Sequence, residues 1–201
     1  MRVDLHVHTK YSYDCLTDLR VIAKVAKMKN MAVAITDHNT MKGAYKAKEV
    51  FKEFNIPLIL GEEVTTDKGD ILALFIKDEI KPGDVFSVID NIKSQGGLVV
   101  LPHPFYRHKD LLSYVKKVDM VEVINARIPH FLNVRAQNLA AEFNKPASAG
   151  SDAHASFMVG MAYLEVDSLS RKSILNGKPF GKEFVAGRLI SAASQIIKNF
   201  L

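Results

Sequence analysis

The chain has 201 residues, of which 48% are hydrophobic and 24% charged, with a net charge of +5. That length and balance fit one soluble globular domain and exclude a disordered or fibrous chain. The single cysteine, Cys15, excludes an internal disulfide, and no apolar run approaches the roughly 18–20 residues that span a bilayer. The N-terminus runs into a strand-like segment rather than a signal peptide, so the expectation is a cytoplasmic protein with no membrane partner. Cys15 reads as a small buried or loop thiol in preference to a ligand or nucleophile. The lysines are scattered through helical segments, so the positive charge reads as a solvated surface rather than a nucleic-acid groove.

The first predicted element is a strand over residues 3–9, Val-Asp-Leu-His-Val-His-Thr. Side chains at i and i+2 share a strand face, so His6 and His8 project together. Two imidazoles so placed can converge on one metal ion. They can also be two ordinary histidines on a solvated face. A polar loop over 10–17 carries Ser12, Asp14 and Cys15, and Thr17 is placed to cap a helix from about Asp18. Residues 31–36 form a nearly continuous apolar run, as in a strand buried on both faces, and end in Asp37-His38-Asn39. A helix follows to Phe54, and then a third strand, 56–60, ends in Gly61-Glu62-Glu63.

A strand over 71–76 comes after a Lys68-Gly69-Asp70 turn, and a helix runs from Asp84 to about Lys93. The strand 98–101 ends in Pro102-His103-Pro104, and a short helix lies near 111–115. The strand 120–124 ends in Asn125-Ala126-Arg127, and a helix around 131–143 leads to Pro146-Ala147-Ser148-Ala149. That segment ends in Gly150-Ser151-Asp152-Ala153-His154. Residues 160–166 read as a last strand, with helices at 168–175 and 189–200; the final helix is expected to close the barrel or its bottom. Apolar strands alternating with helical patterns indicate β/α units around a parallel sheet. Nearly every polar cluster sits after a strand and before a helix, the face of a β/α barrel where chemistry is placed. Five of the seven histidines fall in these strand-end motifs. Imidazole and carboxylate together suit Zn, Mn or Fe better than Mg or Ca.

DLHVHTKYSYD, AITDHNT, GEEV, LPHP and GSDAH resemble the successive motifs of the PHP (polymerase and histidinol phosphatase) family, in the family's order, over residues 1 to about 155. The resemblance implies an α/β fold, a distorted (β/α)7 TIM-like barrel. It implies one domain over 1–201, with the strand and helices of 160–201 completing the barrel. It also implies a phosphoric ester hydrolase that uses a metal-bound hydroxide, with two or three divalent ions and no protein nucleophile. By motif, His6, His8, Glu63 and Asp152 hold a first metal. Glu63 bridges to a second, completed by His103 and Asp70, and Asp14, His38 and His154 hold a third. Glu62 then points to the opposite face. Asp37, Glu122 and Asn125 read as supports for neighbouring ligands or as structural residues. Many family members carry a His where this chain has Asp70, which leaves Asp70 as either a ligand or a turn residue. With three divalent ions against the four carboxylates, the centre is net positive and attracts phosphate.

Arg127 is the preferred anchor for the substrate's phosphate oxygens and Arg107 the second. His108 and His130 lie off the motifs and read as solvated, with His130 also available as an acid for the leaving group. The expected partner is a phosphorylated small molecule or nucleotide, or a nucleic-acid end. The alternatives are an amidohydrolase-like enzyme on a non-phosphate substrate and a non-catalytic nucleic-acid-associated module. The near-complete ligand set argues against the latter.

Overall fold

The computed structural model describes residues 1–200. Among them, strands β1 (Arg2–Val7), β2 (Met31–Ile35), β3 (Leu58–Thr66), β4 (Gly69–Leu74), β5 (Leu98–Leu101), β6 (Met120–Asn125), β7 (Ala147–Gly150), β8 (Ala162–Glu165) and β9 (Lys178–Gly181) form one sheet. Its order is β7-β6-β5-β4-β3-β2-β1-β8-β9. The helices are α1 (Leu19–Met28), α2 (Lys42–Glu53), α3 (Val85–Ser94), α4 (His130–Glu142), α5 (Arg171–Leu175) and α6 (Gly187–Asn199). The sheet curls into a nearly closed α/β barrel. Its seam is a bridge between Val7 and Ala153, where the His8 N–H donates to the Ala153 carbonyl at 3.0 Å.

Two apolar layers follow from strand alternation. Val3, Leu5, Ala32, Ala34, Ile59, Leu72 and Val100 fill the barrel interior. Val7, Val33, Ile35, Val99 and Val121 pack outward with Ile22 and Ala26 of α1, Ala44 and Phe51 of α2, and Ile89 and Ile92 of α3. The register of β1 against β2 shifts between Asp4 and Val7. Such an irregularity changes the parity of a strand. Val3 and Leu5 face inward before it and Val7 faces outward after it, which leaves His6 and His8 on the inner side.

The fold corrects the sequence reading in six places. The sheet is not wholly parallel, because β4 runs antiparallel to both β3 and β5. Only Asp67 and Lys68 separate β3 from β4, and so short a connection can only reverse the chain. Gly69, at φ 125°, makes that turn, and Asp70 lies inside β4 opposite Thr65 rather than before the strand. Strand β9 went unread because its Lys-Pro-Phe-Gly sequence carries two residues that weaken a strand pattern; it sits at the sheet edge, where Pro is tolerated. The helix near 111–115 is two short 3-10 turns, and Asp18, not Thr17, caps α1, accepting from the Arg20 N–H at 2.8 Å. Finally, α6 lies over the ligand-bearing end of the barrel, not its bottom: Ala186, Leu189, Ser191, Ala192 and Gln195 share one cavity with His103 and Asp152. No described helix is long and apolar enough to cross a membrane.

Candidate metal centre

The strand ends bring most of the motif residues to one place. His6 Nε2 lies 3.1 Å from His8 Nε2 and 3.1 Å from Glu63 Oε2, and 3.7 Å from Asp152 Oδ1. His103 Nε2 meets Glu63 Oε1 at 3.1 Å. His154 Nε2 lies 2.8 Å from Asp14 Oδ2, and His38 Nε2 lies 3.6 Å from the same oxygen. Potential ligand atoms gather within 4.8 Å of one another in three groups: His8, Asp14, His38 and His154; His6, Glu63 and His103; and His6, His8 and Asp152. His8 therefore stands between two groups, a junction the motif assignment did not foresee. Asp70 lines the same cavity without entering any group. Arg127 and Arg107 also line it. The cavity encloses about 550 Å³.

Carboxylates outside the ligand set hold these rings in place. Glu122 Oε1 lies 3.1 Å from His6 Nδ1, and its Oε2 accepts from the His103 N–H at 2.9 Å and from Asn125 Nδ2 at 2.9 Å. Asn125 Nδ2 reaches Asp152 Oδ2 at 3.2 Å. Asp37 accepts from the Thr9 N–H at 2.6 Å and the Thr9 hydroxyl at 2.7 Å, fixing the chain just after His8. Asp4, which the sequence reading passed over, accepts from the Ser151 N–H at 2.9 Å and the Gly160 N–H at 2.7 Å. It ties β1 to the loop that carries Asp152. Burial pushes the Asp4 carboxyl up to about 6 against these hydrogen bonds. Gly150 is required for a different reason: a Cβ there would lie 2.3 Å from His6 Cβ.

The charges are arranged in opposition. Burial disfavours the Glu63 carboxylate, yet the surrounding His38, His6 and His103 outweigh it and hold the group well below the usual carboxylate range. Burial likewise opposes ionised Asp152, and Arg127 and His6 overcome it. His154 is pushed down to about 4 by burial and the neighbouring His8. Asp70 goes the other way, raised by burial and by Glu63.

The donor set fits divalent metal. Two imidazole nitrogens facing each other at 3.1 Å can share only one proton, and His8 lies within reach of two carboxylates. The Nδ1 of His103 is buried without a hydrogen-bond partner among the described residues. His38 Nδ1 sits 3.3 Å from Glu63 Oε2 without hydrogen-bond geometry. Unpaired buried polar atoms among convergent carboxylates mark a place for an ion. The mixed nitrogen and oxygen donors suit Zn, Mn or Fe.

Of the remaining histidines, His130 is solvated as expected and His108 is not. His130 is exposed and pairs with Glu183 at 2.8 Å, outside the cavity. His108 is not solvated: its Nδ1 meets the hydroxyl of fully buried Tyr114 at 2.8 Å, and burial pushes it down to about 3. Its ring lies over Gly69, where an added Cβ would come 2.4 Å from Nδ1. Cys15 is fully buried, its thiol pushed up to about 11 by burial. Glu62 is buried away from the cavity and accepts from the Ile80 N–H at 3.0 Å. Tyr106, Arg188 and Gln195 line the cavity and carried no motif. No local pattern joins residues so far apart, and only the placement of α6 reveals them.

Known proteins with the same pattern place the chain. The family model for the PHP domain matches residues 4–146, and that for a PHP-associated segment matches residues 131–177. One uncharacterized protein of Methanocaldococcus jannaschii is 32% identical over 217 residues, covering 99% of this chain and 86% of the relative. A second from the same organism is 40% identical over 141 residues, covering 63% of this chain and 82% of the relative. Among solved structures, a two-domain protein from Bacteroides vulgatus, containing a predicted PHP-like metal-dependent phosphoesterase, superposes with TM-score 0.74 at 19% identity. That match covers 98% of this chain and 69% of the other. An amidohydrolase from Chromobacterium violaceum, solved with bound sulfate and no metal, gives TM-score 0.67 at 15% identity over 94% and 96% of the two chains. These two likenesses show the fold. The PHP model covers well over half of the sequence, with its motifs at the strand ends that form the centre: the chain belongs to the PHP family.

Proposed function

We propose that the chain is a metal-dependent phosphoesterase that hydrolyses a phosphomonoester or short nucleotide substrate. The observation that carries this reading is the convergence of five imidazoles with Glu63, Asp14 and Asp152 beside Arg127 in one cavity. His6, His8, Asp152 and Glu63 would hold a first ion, Glu63 and His103 a second, and Asp14, His38 and His154, with His8 in reach, a third. Asp70 is a further candidate for the second. Two or three Zn, Mn or Fe ions would supply Lewis-acid activation of water and charge for the phosphate oxygens.

The chain's own groups account for the rest. Arg127 beside Asp152 holds that carboxylate well below the usual range, and Glu63 lies among the imidazoles of His6, His38 and His103. Glu122 and Asn125 fix the His6 ring, the His103 backbone and Asp152, so little reorganisation accompanies reaction. Arg127 donates from Nη1 to Asp152 Oδ1 at 2.7 Å and steadies that carboxylate, and Arg107 meets the phosphate from the cavity wall.

The test is phosphate release by the metal-loaded chain from a panel of phosphomonoesters, mononucleotides and short oligonucleotides. Metal-dependent release, lost in Asp152→Asn, is expected. Turnover of amides or lactones with no phosphate release would replace this reading with the amidohydrolase one. Nucleic-acid binding with neither turnover nor bound metal would replace it with a non-catalytic module.

A further inference from the structure

Arg127 is the most buried arginine of the cavity, yet its fork is already engaged. Its Nη1 donates to Asp152 Oδ1 at 2.7 Å and lies 2.9 Å from His154 Nδ1, and its Nη2 donates to Ser191 Oγ at 2.9 Å. An arginine so held stabilises ligand carboxylates and has little freedom to grip a second anion. Two other guanidiniums line the cavity without a carboxylate partner among the described residues. Arg107 stands 5.2 Å from the centroid of the Tyr106 ring and Arg188 stands 4.6 Å from it. Arg188 also donates from Nη2 to the Tyr106 hydroxyl at 3.3 Å.

Two cations braced on one aromatic ring repel each other, and the ring's face offsets only part of that. An oxyanion in the cavity that both line would offset the repulsion, and guanidinium forks match its geometry. The contributing elements are also telling. Arg107 comes from the loop after His103, whereas Arg188 comes from the first turn of α6, beyond residues 4–146 and 131–177 matched by the family models. The same helix sends Ser191 to Arg127, and Lys198 Nζ donates to the carbonyls of Lys10 and Ser12 in the loop that bears Asp14.

We propose that Arg107 and Arg188, braced on Tyr106, clamp the anionic group of the substrate, and that α6 is thereby part of the binding site. This rests on the phosphoesterase reading for the identity of the substrate, though not for the binding of an anion.

The experiment uses the full metal-loaded chain, with a reporter phosphomonoester as substrate and inorganic phosphate as competitor. Arg188→Ala is expected to raise KM and the phosphate inhibition constant together by about 10–100-fold, with kcat within about threefold and metal content unchanged. Arg188→Lys, which keeps the charge but loses the fork, is expected in between. If Arg188 serves only to dock α6 on Tyr106, Arg188→Ala lowers Tm while KM and phosphate inhibition stay within twofold. That result, or a fall in kcat with KM unchanged, overturns the proposal. If the wild-type chain releases no phosphate, the functional reading fails by itself. Calorimetric titration with inorganic phosphate then still tests the clamp: binding by wild type and not by Arg188→Ala upholds it, and equal binding sinks it.

Discussion

The floor and the rim of the cavity are built on opposite principles. The floor consists of side chains from strand ends, nearly all buried, each fixed by a second group: His6 by Glu122, Asp152 by Asn125 and Arg127. The rim consists of Tyr106, Arg107 and α6, where exposed Arg107 and half-buried Arg188 are braced by a ring rather than by carboxylates. A floor of this kind fixes a reaction, because metal chemistry tolerates little displacement. A rim of this kind sets which molecule is held, and it can change without disturbing the floor. Helix α6 leaves Leu189, Ile196 and Ile197 exposed, so its packing constrains it far less than the strands are constrained.

Three perturbations sharpen the contrast. The largest effect is expected in the floor itself. Glu63→Gln removes the carboxylate shared by His6, His8 and His103. Metal content measured by elemental analysis should fall by at least one ion per chain, with phosphatase activity down by roughly 1,000-fold or more. Full metal content would remove Glu63 from its assigned role. The next effect lies one layer out. Glu122→Ala leaves the His6 ring and the His103 N–H without their acceptor, and metal affinity should weaken by about 10–100-fold. A wild-type affinity in this variant would mean that the floor is not held from behind.

The smallest effect concerns the joint between floor and rim. His108 has a folded-state pKa near 3, below the ordinary 6.5. Its contribution to stability is complete above pH 6.5 and is lost as the pH falls toward 3, because the unfolded chain takes up the proton that the folded chain refuses. The loss should amount to about 1–2 kcal/mol between pH 7 and pH 5. Thermal melts across that range should therefore be steeper in pH for wild type than for His108→Gln. Parallel profiles would refute the assignment.

The floor was legible in the sequence and the rim only in part: Arg107 follows the His103 motif and reads as an anchor, whereas Tyr106 and Arg188 carry no motif. His6, His8, His38, His103, Asp152 and His154 stand in short motifs next to apolar runs, which is enough to place them at strand ends, although the register shift that turns His6 and His8 inward leaves no sign in the sequence. The antiparallel β4 was missed because a run such as Ile-Leu-Ala-Leu carries no direction; only the two-residue connection from β3 reveals it. Asp70 was placed outside its strand for the same reason. The amphipathic pattern of α6 shows which residues are apolar but not which end of the barrel they cover. The contact between Tyr106 and Arg188 joins residues 82 positions apart and leaves no local trace.

The barrel seam bears on the order in which the molecule assembles. Asp4 meets Ser151 across 147 positions and Gly160 across 156, and Gly150 passes directly beneath His6. Closing so long a loop is costly in chain entropy and tends to come late in folding. His6 and His8, at the end of the first strand, can meet Glu63 and His38 early, but Asp152 and His154 reach them only when the chain's far side arrives. The centre is then a product of final closure rather than a nucleus, and metal uptake by a refolding chain would time the last step of folding rather than the first.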